Sequence, residues 1–163
     1  MTRGELRWNV KTSFRTYVRA IEDGAETWLS DAGELRGNEL VFVQDAANSE
    51  VDPADPSSGV IRYLGRVRFS GYRGMLMVNL ADPWVELGTE SLVLSIDASP
   101  PGTTPRRIDI ATATPHAPVV RGTTLAWIHL PVVSTSAGAG LLGGVYREGE
   151  ELDDLHFSVG SSM

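Results

Sequence analysis

Ser13 and Tyr17 are the residues near the amino terminus whose types and spacing suit ligand chemistry. Tyr17 is also one of four residues that recur with helical spacing: Phe14, Tyr17, Val18 and Ile21. This period predicts a short helix, with Thr12 or Ser13 as its cap and Gly24 at its end. Because Ser13 and Tyr17 are four positions apart, the hydroxyl and the phenol lie on the same side of that helix. Spacing alone leaves both core packing and ligand binding open for this pair.

The other candidate residues, three histidines and a run of acidic residues, are expected to have structural roles. His116, His129 and His156 are 13 and 27 residues apart, which is not the spacing of two imidazoles on one helix face. The chain has no cysteine, so thiolate metal sites and cysteine nucleophiles are excluded. The acidic run at 148–154 lacks the alternating oxygen ligands of a calcium loop.

Glycine motifs give no support for nucleotide binding or for hydrolase chemistry. Residues 138–143 satisfy the pattern G-x-G-x-x-G, but only 20 residues follow Gly143, too few for the strand and acidic residue of a dinucleotide site. We expect a flexible connection or a weak second helix over 136–146. The sequence contains no G-x-S-x-G nucleophile elbow, so nothing in it favours a hydrolase of that type.

The elements that position these groups are predicted to be mostly strands. Apolar and polar residues alternate in runs that recur every 8 to 15 residues, for example at 6–10, 60–69, 75–80, 84–87, 92–96, 107–111 and 125–130. Such runs, with 17 Gly and 9 Pro between them, are typical of antiparallel sheets closed into a sandwich or barrel. Residues 45–58 are predicted to form a mobile loop. The fold class is therefore mainly β, an antiparallel β-sandwich or barrel-like domain with one or two short helices.

The length and net charge of the chain limit the functions that it can have. The chain of 163 residues fits one domain, 1–163. A net charge of -7 argues against nucleic acid or an anionic membrane as partner. No window has the roughly 18 apolar residues that a membrane helix needs, so no membrane insertion is expected. Without a secretory signal at its start, the chain as written is expected to be cytoplasmic; a trimmed sequence would instead belong to an extracellular or cell-surface protein.

Three segments in order, at 6–18, 65–76 and 143–153, carry a resemblance to a known family. They resemble the HtaA domain, the haem-binding unit of bacterial haem-uptake proteins. Leu6–Val18 is similar to the opening of that domain. Gly65–Leu76 is similar to its central Phe-Ser-Gly-His-x-Gly-x-Leu block, and Gly143–Asp153 to its closing Gly-Phe-Tyr-x-x-Gly-x-x-Leu-Asp block. The resemblance covers about residues 6 to 159. It implies a mostly antiparallel β fold with small helices.

The resemblance also implies site residues and a cofactor. Tyr17 would be the axial ligand to the iron of haem b, and Ser13 would bind a propionate. Val145 and Tyr146 match the pair that covers the haem from the other side, with Val145 in place of the usual Phe. Tyr72 stands where the family has the His that hydrogen-bonds the ligand tyrosine. A phenol can still donate a hydrogen bond, but it cannot become a cation near neutral pH.

The leading hypothesis is a protein that holds ferric haem through a tyrosine ligand for transfer, storage or sensing, with a haem donor or acceptor protein as partner. One alternative is a haem-dependent, peroxidase-like enzyme, for which His116 or His129 would have to lie over the haem. The other is a haem-free ligand- or protein-binding module on the same scaffold, which the changes to Tyr72 and Val145 favour. The oligomeric state is left open.

Overall fold

A computed structural model describes residues 3–52 and 55–160. In this part of the chain there are two α-helices, α1 (Thr12–Ala20) and α2 (Ser136–Leu141), and one turn of 3-10 helix at Tyr72–Gly74. The strands are β1 (Glu5–Arg7), β2 (Ala25–Trp28), β3 (Glu34–Arg36), β4 (Glu39–Gln44), β5 (Glu50–Asp52), β6 (Asp55–Leu64), β7 (Arg66–Gly71), β8 (Leu76–Leu87), β9 (Leu92–Asp97), β10 (Arg107–Ala113), β11 (Val119–Arg121), β12 (Thr124–Leu130), β13 (Val133–Ser134) and β14 (Leu155–Gly160). Neither described helix is long and apolar enough to cross a bilayer.

The strands form two antiparallel layers that share β6. Their order is β11-β12-β14-β1-β4-β6-β8-β9-β10-β13, with β3 beside β4, β5 beside β6, and β2 beside β7, which pairs with β8. Strand β4 meets only the last residues of β6, where Val43 faces Leu64, whereas β8 pairs with the middle of β6. The chain therefore passes from one sheet to the other through β6. The prediction of a mainly antiparallel, sandwich-like β fold is confirmed.

One cluster of buried side chains joins both sheets. It includes Leu6, Phe42 and Trp127 from one sheet and Leu80 and Leu94 from the other, each at most 1% exposed. Such burial contributes about 1.5–3 kcal/mol for each large apolar side chain. Strand β7 follows the alternation expected for a half-buried strand, because its buried residues are every second one.

Helix α1 forms where it was predicted, but its ends differ from the prediction. Lys11 is the N-cap residue and makes no side-chain capping bond. The helix starts at Thr12, so Thr12 and Ser13 lie inside it and cannot cap it. The Asp153 carboxylate instead accepts the backbone N–H of Thr12 at 3.0 Å and also bonds the Thr12 hydroxyl. At the other end, Ile21 already flanks the helix, three residues before Gly24.

The structure also decides the predictions made for the segment after Thr135 and for residues 45–58. The segment after Thr135 is the short helix α2, whose first turn is capped by the Thr135 hydroxyl accepting the Gly138 N–H at 2.9 Å. The predicted mobile loop over 45–58 is wrong in part, because β5 and the start of β6 form an antiparallel pair there. Residues 53 and 54 of that predicted loop lie outside the described residues.

Candidate functional site

An open, mostly apolar cleft lies where helix α1, the turn after β7 and the segment after α2 meet. Its volume is about 640 Å³, within the range of small-molecule sites. Nine residues line it: Phe14, Tyr17, Tyr72, Met75, Leu76, Leu142, Gly143, Val145 and Tyr146. Three phenols are the polar groups of an otherwise hydrophobic surface, so the cleft suits a large apolar ligand that a few oxygen atoms orient.

Helix α1 presents Tyr17 to this cleft because its neighbours on the same face are buried. Phe14 and Val18 are 2% and 1% exposed, and the Phe14 ring meets the Phe69 ring edge-on at 5.3 Å. These contacts fix the rotation of the helix. Tyr17 lies at the edge of the buried face and is 50% exposed. Core packing, one of the two interpretations left open for this side chain, is therefore not what the structure shows.

A buried ion pair on the same helix fixes its position against the sheet. The Arg15 guanidinium donates to both carboxylate oxygens of Glu26, at 2.6 and 2.7 Å, and to the Asn38 carbonyl at 2.7 Å. The Arg15 and Glu26 side chains are 4% and 9% exposed. This two-point contact is geometrically specific, so it ties α1 to β2 and with it the position of Tyr17.

The hydroxyls of Tyr17 and Tyr72 are hydrogen-bonded at 2.9 Å, with the ring centroids 6.4 Å apart. The hydrogen bond to Tyr17, partial burial and the nearby charge of Asp23 together raise the pKa of the Tyr72 phenol. Tyr72 therefore keeps its proton more firmly than a free phenol does. Either hydroxyl of this pair can donate the hydrogen bond.

Tyr72 does not lie on a strand, because β7 ends at Gly71. Tyr72 and Arg73 instead belong to the single turn of 3-10 helix that follows the strand. Tyr72 and Arg73 have positive φ angles of 51° and 56°, in the left-handed region that side chains rarely adopt. The Asp23 carboxylate holds this turn by accepting the N–H of Tyr72 at 2.8 Å and that of Arg73 at 2.7 Å. Sequence reasoning missed Asp23, since its partners are 49 and 50 residues away.

A second hydroxyl pair lies one helical turn before Tyr17. The Ser13 hydroxyl and the Tyr146 hydroxyl are 2.9 Å apart, and both atoms can donate. Ser13 is exposed beside the cleft and is not one of the residues that line it. Val145 is 77% exposed, in the segment where Gly143 and Gly144 have positive φ angles. The structure thus brings Ser13, Tyr17, Tyr72, Val145 and Tyr146 around one cleft.

The histidines lie elsewhere. His116 is at a separate hollow beside Trp127, where its Nε2 is 3.2 Å from the Ile128 carbonyl. His129 and His156 meet edge to face, with ring centroids 4.7 Å apart, near Asp154. None of the three lines the cleft, and the described residues contain no cluster of three or more His, Asp or Glu suited to a metal ion.

Comparison with known proteins identifies the fold. The chain matches the C-terminal domain of HtaA from Corynebacterium glutamicum with a TM-score of 0.78 at 23% identity, over 98% of this chain and 96% of that one. It matches the N-terminal domain of the same protein with a TM-score of 0.78 at 21% identity, over 99% and 98%. The heme binding protein HtaB from Corynebacterium glutamicum matches with a TM-score of 0.69 at 16% identity, over 98% and 93%.

A comparison with curated proteins returned no significant match. The HtaA family model, described as Htaa, matches residues 3–158, which is nearly the whole chain. This match also agrees with the three sequence blocks and with the placement of their residues around one cleft. The chain belongs to the HtaA family.

Proposed function

We propose that this protein binds haem in the cleft and that Tyr17 is the axial ligand to its iron. Membership of the HtaA family and similarity to the heme binding protein HtaB support haem as the ligand class. The observation that carries the proposal is the Tyr17 hydroxyl, half-exposed at an apolar cleft and hydrogen-bonded to the Tyr72 hydroxyl, which can act as its donor.

The residues present fit haem by their chemistry. A tyrosine oxygen is an established axial ligand to haem iron. A free phenol titrates near 10, so binding at neutral pH requires the anion to be favoured, which ferric iron and a hydrogen-bond donor both do. Tyr72 is that donor, and Phe14, Leu76 and Leu142 supply the apolar surface that a porphyrin needs. Bound haem would supply a ferric porphyrin with tyrosinate coordination.

The other named residues hold the edges of the ligand. Ser13 is assigned to a propionate because its hydroxyl is exposed in the first turn of α1, where backbone N–H groups favour anions. The Thr12 N–H already binds Asp153, so the Ser13 hydroxyl rather than that amide is the available donor. Val145 and Tyr146 are assigned to the opposite face of the porphyrin. Without cysteine for thioether links, the haem is bound non-covalently, as haem b is.

The cleft favours holding or transferring haem over oxidative catalysis. Of the nine residues that line it, the ones with polar side chains are Tyr17, Tyr72 and Tyr146. His116 and His129, which the enzyme hypothesis needs over the haem, lie in other parts of the fold. An open cleft also leaves the ligand accessible to a donor or acceptor protein.

Hemin titration followed by absorption spectroscopy tests the proposal. Wild-type protein is expected to give a saturable Soret change and a tyrosinate-to-iron charge-transfer band, and Tyr17→Phe is expected to abolish that band. Tyr146→Phe is the matched control, because it removes a phenol oxygen from the same cleft while leaving Tyr17 in place. A charge-transfer band that survives in Tyr17→Phe would remove Tyr17 from the ligand role. No Soret change in the wild type would support the haem-free module instead.

A further inference from the structure

The turn that carries Tyr72 is held in an unfavourable backbone conformation. Tyr72 and Arg73 both have left-handed φ angles, and Gly74 follows at 88°. Only glycine adopts this region readily, and two successive residues with side chains in it are uncommon. Some contact outside the turn must therefore stabilise it, because the turn projects into solvent with Tyr72 48% exposed.

Asp23 supplies that contact with both carboxylate oxygens. Oδ1 accepts the N–H of Tyr72 at 2.8 Å, and Oδ2 accepts the N–H of Arg73 at 2.7 Å. These are charge-assisted hydrogen bonds of nearly ideal length. Two backbone donors occupy two separate oxygens, so an amide side chain, with one oxygen, cannot reproduce the arrangement.

Asp23 is also tied to the helix that carries Tyr17. It follows Ala20, the last residue of α1, by three positions, and the next residue, Gly24, donates to the Ile21 carbonyl at 2.9 Å. Ile21 packs so closely on Gly71 that a Cβ there would lie 2.8 Å from the Ile21 Cδ1 atom. The chain just after α1 therefore contacts the turn and the residue before it at two adjacent points, one apolar at Gly71 and one through the hydrogen bonds of Asp23.

We propose that Asp23 is a positioning residue that fixes the Tyr72 hydroxyl against the Tyr17 hydroxyl, and that haem affinity depends on it through Tyr72. This inference rests on the proposed function. Asp23 itself does not line the cleft that contains Tyr17; it lies in the adjacent hollow with Ile21 and Arg73. It acts by holding the backbone from which Tyr72 projects.

An exposed carboxylate is dispensable for the core, which makes the inference testable without unfolding the protein. Asp23 makes no contact with the buried cluster through its side-chain hydrogen bonds, which both go to the turn. The variants are Asp23→Asn, which loses one acceptor and the charge, and Asp23→Ala, which loses both acceptors. Glu22→Gln is the matched control: it removes the same charge from the neighbouring exposed residue, whose side chain has no hydrogen bond or ion pair with any residue that the structure describes.

The first measurement uses the haem-free protein. Amide hydrogen exchange at Tyr72 and Arg73 is expected to accelerate about tenfold or more in Asp23→Ala, as for the loss of a charge-assisted hydrogen bond. Tryptic cleavage after Arg73 is expected to rise with it, and Glu22→Gln is expected to match the wild type in both. Unchanged exchange in Asp23→Ala would show that the carboxylate does not hold the turn, and would overturn the inference.

The second measurement is a double-mutant cycle on hemin affinity. Asp23→Ala is expected to weaken hemin binding about tenfold, and to have no further effect in a Tyr72→Phe background, because the hydroxyl it positions is gone. An equal loss in both backgrounds would mean that Asp23 does not act through Tyr72, and would refute the proposal. If the wild type binds no hemin, the proposed function fails, and the dependence of hemin affinity on Asp23 fails with it. The exchange measurement on the haem-free protein still decides whether the Asp23 carboxylate holds the turn.

Discussion

Removing Glu26 should destabilise the protein far more than removing an exposed acid, because it leaves Arg15 buried without its counter-ion. Breaking a buried ion pair by deleting one partner costs about 3–5 kcal/mol. Arg15 keeps one bond in Glu26→Ala, to the Asn38 carbonyl at 2.7 Å, so we expect a loss near 3 kcal/mol, the lower end of that range. Arg19 also reaches Glu26, at 3.5 Å from an exposed position, and its loss of this contact should contribute little to the change in stability.

Urea unfolding of the haem-free protein measures this loss. Glu34→Ala is the matched control, since the Glu34–Arg36 pair has side chains 56% and 52% exposed and should contribute about 0–1 kcal/mol. Replacing the pair together, Arg15→Met with Glu26→Leu, should recover most of the stability lost in Glu26→Ala, because no charge is then left unpaired. A loss below about 1 kcal/mol in Glu26→Ala would refute the reasoning, since that is the size of an exposed pair.

Three further changes have distinct expected outcomes. Gly65→Ala should cost about 1–3 kcal/mol in urea unfolding, because φ is 150° and a Cβ would lie 2.7 Å from Phe42 and 2.8 Å from Trp28; an unchanged midpoint would contradict this. Burial lowers the pKa of His156 below the 6.5 of a free imidazole, so the unfolded chain binds more protons there and stability should fall as the pH drops from about 7 to about 5. His156→Gln should flatten that dependence, and an equal slope in both proteins would exclude His156 as its source. Val145→Phe should tighten hemin binding about fivefold, from roughly 1 kcal/mol of added aromatic contact, and looser binding would mean that this position does not cover the ligand.

Helix α1 was predictable because one local signal determined it. The spacing of Phe14, Val18 and Ile21 needs no knowledge of the rest of the chain, and all three side chains are buried in the structure. Tyr17 obeys the same spacing but sits at the margin of the buried face. Periodicity therefore located the phenol on the helix and left its exposure undecided.

Strand β8 illustrates what local patterns could not settle. The runs at 75–80 and 84–87 were predicted as separate strands, since Asp82 and Pro83 interrupt the alternation. In the structure they form one strand of 12 residues. Its register with β9 shifts between Ala81 and Trp84, and Asp82 has a φ of 47°. An irregularity of this kind tolerates a proline within a sheet, so the break in the sequence pattern marks a bulge rather than a loop.

The carboxylates that position the site could not be recognised in the sequence, because the residues they bind are far away along the chain. Asp153 binds the start of α1 from 141 positions away, and Asp23 binds the Tyr72 turn from 49. Each is an ordinary acidic residue when only its neighbours in sequence are considered. Only Asp153 had a signal, its place at the end of the closing block that resembles the HtaA pattern. The sequence could name the hydroxyl groups of the site, but not the carboxylates that position them.

The resemblance to the HtaA blocks places a histidine where this chain has Tyr72, and a phenol in place of an imidazole would change the chemistry of the pair. A histidine donor gains a proton near neutral pH and then offsets the charge of a phenolate, whereas Tyr72 donates one hydrogen bond and stays neutral. With Tyr72 neutral and the Asp23 charge nearby, the negative charge of a Tyr17 phenolate would be balanced by ferric iron rather than by its hydrogen-bond partner. In the proposed site, ferric iron would then have to supply charge compensation that a cationic donor would otherwise share. In the proposed site, the hydroxyl that would bind the iron and the one that would support it are 2.9 Å apart. Tyr17 lies on α1, and Asp23, just beyond the end of α1, binds the turn that carries Tyr72, so the helix that would supply the ligand also sets its environment.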